Sequence, residues 1–231
     1  MLRLEGVTIV QGDFHLAADY SIPQEARVAV IGPSGAGKST LLSVIAGFTP
    51  PTTGRILWRG QDLAALAPGA RPLSILFQDQ NLFPHLSVGQ NVGLGLRPDL
   101  RLSANERNRV AEALDGVGLG GLADRRPATL SGGQQGRVAL ARVLLRARPL
   151  MLLDEPFSAL GPALKAEMLD LVAEIAQATR ATLLMVTHDP GDALRIADQT
   201  VLVAEGIAHA PQPTRALLQN PPPALATYLG K

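Results

Sequence analysis

The 231 residues include 46% hydrophobic and 18% charged side chains and carry a formal net charge of +1. That length and balance bury about 70% of the unfolded surface in one compact unit and leave no single-signed field to attract nucleic acid or anionic lipid. The absence of cysteine removes disulfides, thiolate metal sites and cysteine nucleophiles and fits a reducing compartment.

Met1 opens directly into an alternating pattern, Leu2, Leu4, Val7 and Ile9, read as a strand with no charged leader or export signal before it. Arg27 to Ile31 is a short Val/Ile-rich run, again a strand, and a helical pattern follows from Lys38 to Gly47. Gly54 to Gly60 and Leu73 to Phe77 are further strands bounded by Gly and Pro, giving a sheet-rich N-terminal region. From about Leu86 to Arg148 the signals turn helical, with Ser103 and Glu106 spaced as a capping box ahead of Val110, Ala113, Leu114 and Val117.

Strands return at Leu150 to Leu153, Ala181 to Val186 and Thr200 to Ala204, alternating with helices at about Ala163 to Ala178 and Pro190 to Ala197. This βαβ rhythm implies a mainly parallel sheet covered on both faces, with the helical stretch of about 86–148 as an inserted subdomain. The Pro-rich segment Pro211 to Pro223 reads as a surface wrap without chemistry. The longest apolar runs fall far short of the ~20 residues that span a bilayer, so a membrane role is expected to come through a partner.

Gly32-Pro33-Ser34-Gly35-Ala36-Gly37-Lys38-Ser39, with Thr40 following, sits between an expected strand and an expected helix. Glycines there let backbone N–H groups converge on phosphate oxygens, the helix start adds positive potential, Lys38 neutralises the outer phosphates and Ser39 can ligate Mg²⁺. Lysine occurs otherwise only at Lys165 and Lys231, so a lysine inside this motif is a pointed choice.

Asp154 and Glu155 end the apolar run Leu150 to Leu153. Alone they read as a solvated strand end; beside a phosphate loop they divide into a Mg²⁺ holder, Asp154, and a base that polarises the attacking water, Glu155, since side-chain direction alternates along a strand. Gln78 and His188 each follow a strand that can run parallel to this one and reach the same crevice, where ligands bind in open α/β sheets. Leu130-Ser131-Gly132-Gly133-Gln134 opens a helix and offers a second anion-binding start. The alternative is an ordinary serine-capped helix, which leaves the two glycines without a reason. If both phosphate sites touch one nucleotide, a head-to-tail pair of chains brings Ser131 to the γ-phosphate held by the other copy's Lys38.

The order Gly32 to Ser39, Gln78, Leu130 to Gln134, Leu150 to Glu155, Phe157-Ser158-Ala159-Leu160 and His188 resembles the ABC ATPase family from about Arg27 to Ala204. The resemblance implies an α/β P-loop NTPase fold: a RecA-like parallel-sheet core with a small N-terminal antiparallel β region and an inserted α-helical subdomain. It also implies one nucleotide-binding domain over residues 1–231, without an added C-terminal regulatory domain. By the same resemblance the chain is an ATPase using ATP and Mg²⁺, with metal contacts from Ser39, Gln78 and Asp154, catalytic roles for Glu155, His188 and Gln78, and nucleotide contacts from residues 32–40 and 131–134. His188 would sense the γ-phosphate and Gln78 would couple the site to a membrane permease. The expected partners are a second copy, transmembrane permease subunits and, indirectly, a periplasmic solute-binding protein, with the chain peripheral at the cytoplasmic face of the inner membrane.

Within that family the run Leu76 to Leu96, including Gln80-Asn81-Leu82-Phe83-Pro84-His85, resembles the ATPases of thiamine importers, which implies thiamine or thiamine phosphates as the solute; Asn81 to Leu86 is then where a permease helix would dock, the alternative for its apolar residues being local core packing. The alternatives are an importer of another small solute and a soluble ATPase acting in assembly. Three positions depart from the family pattern. Gln11-Gly12 stands where an aromatic residue stacks on adenine, leaving Phe14 or nothing to do so. Gly161 replaces an aspartate that aids communication between sites, and Gln135-Gly136 replace a basic residue and a glutamine in the helix after the signature.

Overall fold

The computed structural model describes residues 1–77, 81–158 and 160–230. The N-terminal half builds β1 (Leu2–Gln11), β2 (Phe14–Ile22), β3 (Arg27–Ile31), α1 (Lys38–Ala46), β4 (Thr53–Trp58), β5 (Gln61–Asp62) and β6 (Leu73–Leu76). Then come the helices α2 (Val88–Gly93), α3 (Ala104–Gly116) and α4 (Gly132–Arg146). The chain next alternates as β7 (Leu150–Asp154), α5 (Pro162–Ala178), β8 (Thr182–Val186), α6 (Pro190–Ile196) and β9 (Gln199–Ala204), and closes with β10 (Ile207–Ala208), β11 (Gln212–Pro213), α7 (Thr214–Gln219) and α8 (Pro223–Tyr228).

The strands form one sheet in the order β5-β4-β1-β2-β10-β9-β3-β8-β7-β6, with β11 also against β9. From β9 to β6 every pairing is parallel; β1, β2, β4 and β5 pair antiparallel. The parallel strands are buried on both faces, and the two-residue period sorts their side chains into separate cores. Val28, Val30, Leu152, Leu184 and Val186 join Leu41, Leu42 and Ile45 of α1 on one face. Ala29, Ile31, Met151, Leu153, Leu183 and Met185 join residues of α4, α5 and α6 on the other. Helices α2, α3 and α4 share a third cluster around Val92, Leu114 and Val138.

Both halves of the box expected at Ser103 and Glu106 are formed, Glu106 N donating to Ser103 Oγ and Ser103 N to Glu106 carboxylate. Helix α4 runs unbroken through Gly136, which is buried, while Gln135 Nε2 donates to Pro127 O and Leu130 O at 3.1 and 3.2 Å and ties the preceding loop down. The expectation of a surface wrap at residues 211–223 is corrected. β11 pairs with β9, the Thr214 hydroxyl bonds that of Thr200 at 2.9 Å, and Leu217 and Leu218 enter the core. Prolines there punctuate short elements, and the leucines between them supply the apolar area that fastens the segment to β9.

Candidate active site

The loop from Gly32 to Gly37 crosses from β3 into α1 and is shaped by its glycines. Gly37 has φ 101°, and a Cβ there would lie 2.6 Å from Phe14 Cζ. A Cβ on Gly32 would lie 2.0 Å from the carbonyl oxygen of Val203, so backbone fills the space a side chain would need. Ser34 and Gly35 are exposed, Pro33 and Ala36 half-buried, and the N–H groups of the first turn of α1, from Lys38 through Thr40, have no carbonyl a turn earlier to bond. Lys38 Nζ donates to Gly32 O and Pro33 O, both at 2.8 Å. Burial holds the Lys38 pKa below the usual lysine value, against the opposing pull of Glu155 and Asp154.

β7 lies two strands from β3 in the sheet, and its carboxyl end brings Asp154 to α1, where Ser39 Oγ donates to Asp154 Oδ1 at 3.0 Å. Burial raises the Asp154 pKa; the Ser39 bond opposes that, the Glu155 charge adds to it and Lys38 opposes it. Glu155 is turned away by its backbone: β7 ends at Asp154, and Glu155 takes the left-handed conformation with φ 42°. The two carboxylates therefore diverge through a local turn, where simple strand alternation was the expectation. Glu155 Oε2 meets His188 Nδ1 at 3.0 Å, with His188 carried just beyond β8. A carboxylate beside an imidazole at this crevice can hold and orient a water, and a hydroxyl–carboxylate pair one strand-end away offers two hard oxygen donors.

Ser131, Gly132, Gly133 and Gln134 lie at the start of α4. Ser131 accepts from Gln134 N at 3.3 Å and Gln134 Oε1 accepts from Ser131 N at 3.0 Å, a capping box that leaves the helix tip facing solvent with Ser131 and Gly132 exposed. A Cβ on Gly133 would meet Leu160 and Leu164 methyls at 3.1 and 3.2 Å, so the second glycine lets the helix tip lie close to the chain that follows Glu155. α4 packs with α2, α3 and β6, whereas α1 packs on β7. The structure thus brings Lys38, Ser39, Asp154, Glu155 and His188 to one edge and sets residues 131–134 on a different layer. Gln78, expected in both catalytic and metal roles, lies outside the described residues.

Phe14 is half-buried, packed on the core and against Gly37; Gln11 ends β1 and is exposed. Phe83 stands 46% exposed on a loop pinned by the fully buried Asn91, whose side chain bonds Phe83 N and O, Leu86 O and Ser87 O. Among the described residues no helix is long and apolar enough to cross a membrane. Two neighbours of the site were not singled out in the sequence. Lys165 Nζ bonds Asp189 and Asp192 at 2.5 and 2.9 Å, and Tyr228 Oη donates to His188 O at 2.6 Å. The lysine scarcity that marks Lys38 marks Lys165 equally; nothing local marks Tyr228.

The sequence pattern of the ABC transporter family matches residues 17–158. Among similar proteins, the thiamine import ATP-binding proteins of Cereibacter sphaeroides and a Ruegeria species are 65% and 63% identical over the whole of both chains. That of Yersinia pseudotuberculosis is 51% identical over all of this chain and 97% of its own. A dimeric ATP-binding cassette in a post-hydrolysis state bound to ADP and Pi superposes with a TM-score of 0.83 at 30% identity, over 93% of this chain and 99% of that one. With the phosphate loop, the divergent carboxylates and the serine-capped helix tip assembled on this fold, the chain belongs to the ABC transporter family.

Proposed function

We propose that this chain is the ATP-hydrolysing subunit of a thiamine importer, working as a homodimer peripheral to the cytoplasmic face of the inner membrane. Residues 1–231 act as one nucleotide-binding domain, with residues 86–148 as its helical subdomain. Two copies face head to tail, so that the loop 32–40 of one and the tip 131–134 of the other close over one ATP. The observation that carries this reading is the separation within one chain of two glycine-flanked helix starts, one with Lys38 and one with Ser131, on elements that pack in different layers; each is suited to phosphate. The dimeric cassette that held ADP and Pi supports the pairing, and the names of the relatives support thiamine as cargo.

Lys38 leaves the carbonyls of Gly32 and Pro33 to engage the outer phosphates, an exchange of neutral acceptors for charged ones. Ser39 and Asp154, 3.0 Å apart, fit Mg²⁺, which takes one or two protein oxygens and fills its shell with phosphate and water. When bound, the ion would screen the charge developing on the phosphates. Glu155 accepts the proton of the attacking water, and His188 orients Glu155 and reaches the γ-phosphate. Phe83 and the Asn81 to Leu86 loop receive the permease, and a periplasmic solute-binding protein delivers the solute on the far side.

The test is purification of the chain with its membrane companions. The expected result is a hydrophobic permease in the complex and Mg²⁺-dependent ATP turnover that rises when the thiamine-loaded binding protein is added. Stimulation by a different solute would replace the cargo, and a soluble scaffold as companion would replace transport.

A further inference from the structure

The His188 side chain is 57% exposed, so packing does not hold its ring against Glu155. The backbone that carries it is instead braced from two sides. From α8, Tyr228 Oη donates to the His188 carbonyl at 2.6 Å, across 40 positions of sequence. From α5, Lys165 Nζ bonds Asp189 Oδ2 at 2.5 Å and Asp192 Oδ1 at 2.9 Å. Asp192 Oδ2 in turn accepts from Thr187 Oγ1 at 2.8 Å, and Thr187 Oγ1 accepts from Asp189 N at 3.1 Å. Every residue from Thr187 to Asp189 is therefore tied either to the lysine network or to the tyrosine.

Direction follows from the atoms involved. The Tyr228 bond fixes the plane of the peptide between His188 and Asp189, and the lysine network fixes the turn into α6. Together they brace the backbone on both sides of His188, whose Nδ1 stands 3.0 Å from Glu155 Oε2. Tyr228 can do this because Leu225, one turn earlier, is fully buried and Leu229 packs on the same cluster. A phenol on a free tail would gain little, since ordering the tail would cost more than the bond returns. We propose that Tyr228 and Lys165 are positioning residues for His188, so that the C-terminal helix of this chain belongs to the machinery of its phosphate site. The proposal rests on the reading of His188 as a working residue of an ATPase.

The test uses the full chain with its permease and measures kcat, KM for MgATP and the thermal midpoint for Tyr228→Phe, Lys165→Met, Lys165→Arg, His188→Ala and each brace variant combined with His188→Ala. Loss of one neutral hydrogen bond predicts a fall in kcat of about three- to tenfold for Tyr228→Phe, with KM unchanged within about twofold, because Lys38 and its loop are untouched. Lys165→Met, which leaves two facing carboxylates, should lose about tenfold or more, and Lys165→Arg should recover most of it. In the His188→Ala background, measured in single turnover with excess enzyme, both brace substitutions should change the residual rate by less than about twofold, the non-additivity expected of residues acting through one another.

Wild-type kcat in the near-isosteric Tyr228→Phe would overturn the proposal. So would a full further loss in the His188→Ala background, which would mean a merely structural role. If His188→Ala itself turned over like wild type, the role of His188 and the braces would fall together. If only the braces were silent, His188 would stand without them.

Discussion

Ser39 Oγ and Asp154 Oδ1 lie 3.0 Å apart although 115 positions separate them in sequence. The contact joins the first turn of α1 to the end of β7 and places a carboxylate with a raised pKa, driven first by burial, at the start of the phosphate loop's helix. A carboxyl whose folded pKa is raised contributes stability that is fully present below its ordinary pKa and is lost as pH rises through the folded value. Asp154→Asn should therefore raise the thermal midpoint of the chain without nucleotide at pH 7–8 and change it little near pH 4. The same variant should lose Mg²⁺-dependent turnover and any extra thermal shift that Mg²⁺ adds to ATP. Calorimetric melts across pH, with and without MgATP, check both halves.

The roles proposed for Lys38 and Glu155 separate binding from turnover. Lys38→Ala should weaken ATP and inorganic tripolyphosphate alike by about a hundredfold, since the lysine meets phosphate and not base. Glu155→Gln should keep ATP affinity, lose turnover by about 10²-fold or more and accumulate an ATP-dependent dimer on size exclusion. Equal turnover in Glu155→Gln and wild type would remove it as the base.

Composite sites make a quantitative prediction for mixed dimers. Lys38→Ala and Ser131→Ala chains, each inactive alone, should regain activity when mixed, because a heterodimer keeps one site with an intact loop and an intact tip. With random pairing and independent sites the mixture recovers about a quarter of wild-type turnover. Ser131→Ala also removes the α4 cap and should cost about 1 kcal/mol of stability, so folding is checked first. Zero activity in a folded mixture would argue against either trans completion or independence.

Phe14 lies against Gly37, a place from which it shapes the phosphate loop. Phe14→Ala should therefore weaken inorganic tripolyphosphate and ATP by similar factors, of about three- to tenfold, through a loosened loop. A residue that only stacks on adenine would leave tripolyphosphate binding unchanged. Isothermal titration with both ligands separates the two.

Arg71 is buried beneath the C-terminal end of α1, where its Nη1 donates to Val44 O at 3.1 Å and Ile45 O at 2.7 Å and its Nε to Leu66 O at 3.3 Å. A cation is favoured at that pole of a helix, and its removal strands carbonyls away from water. Arg71→Ala should cost about 3 kcal/mol in urea unfolding, and Arg71→Lys should recover less than half, because an ammonium cannot reach all three acceptors in one geometry.

Much of this architecture was open to a reader of the sequence. The strands expected at Arg27 to Ile31, Leu150 to Leu153 and Ala181 to Val186, and the helices expected from Lys38 and about Ala163, stand within a residue of those bounds, because burial on both faces of a parallel sheet writes itself as short runs rich in Val, Ile, Leu and Met. β2 was not picked out, although its outward His15, Asp19 and Ser21 alternate with buried Leu16, Ala18, Tyr20 and Ile22 in the two-residue period of a half-buried strand. The divergence of Asp154 and Glu155 was expected from alternation, yet it arises from a left-handed residue that only the packed turn beyond β7 explains.

The residue types needed to meet a triphosphate, and their order along the chain, are determined by sequence alone, because a glycine loop, a strand-end carboxylate and a capped helix tip are each encoded within a few consecutive positions. Which residues steady them was decided by tertiary structure. Lys165 reaches Asp189 across 24 positions and Tyr228 reaches His188 across 40, and no local pattern records such meetings: they exist only once burial of Leu225 and the α5 face has brought distant segments to the same strand end.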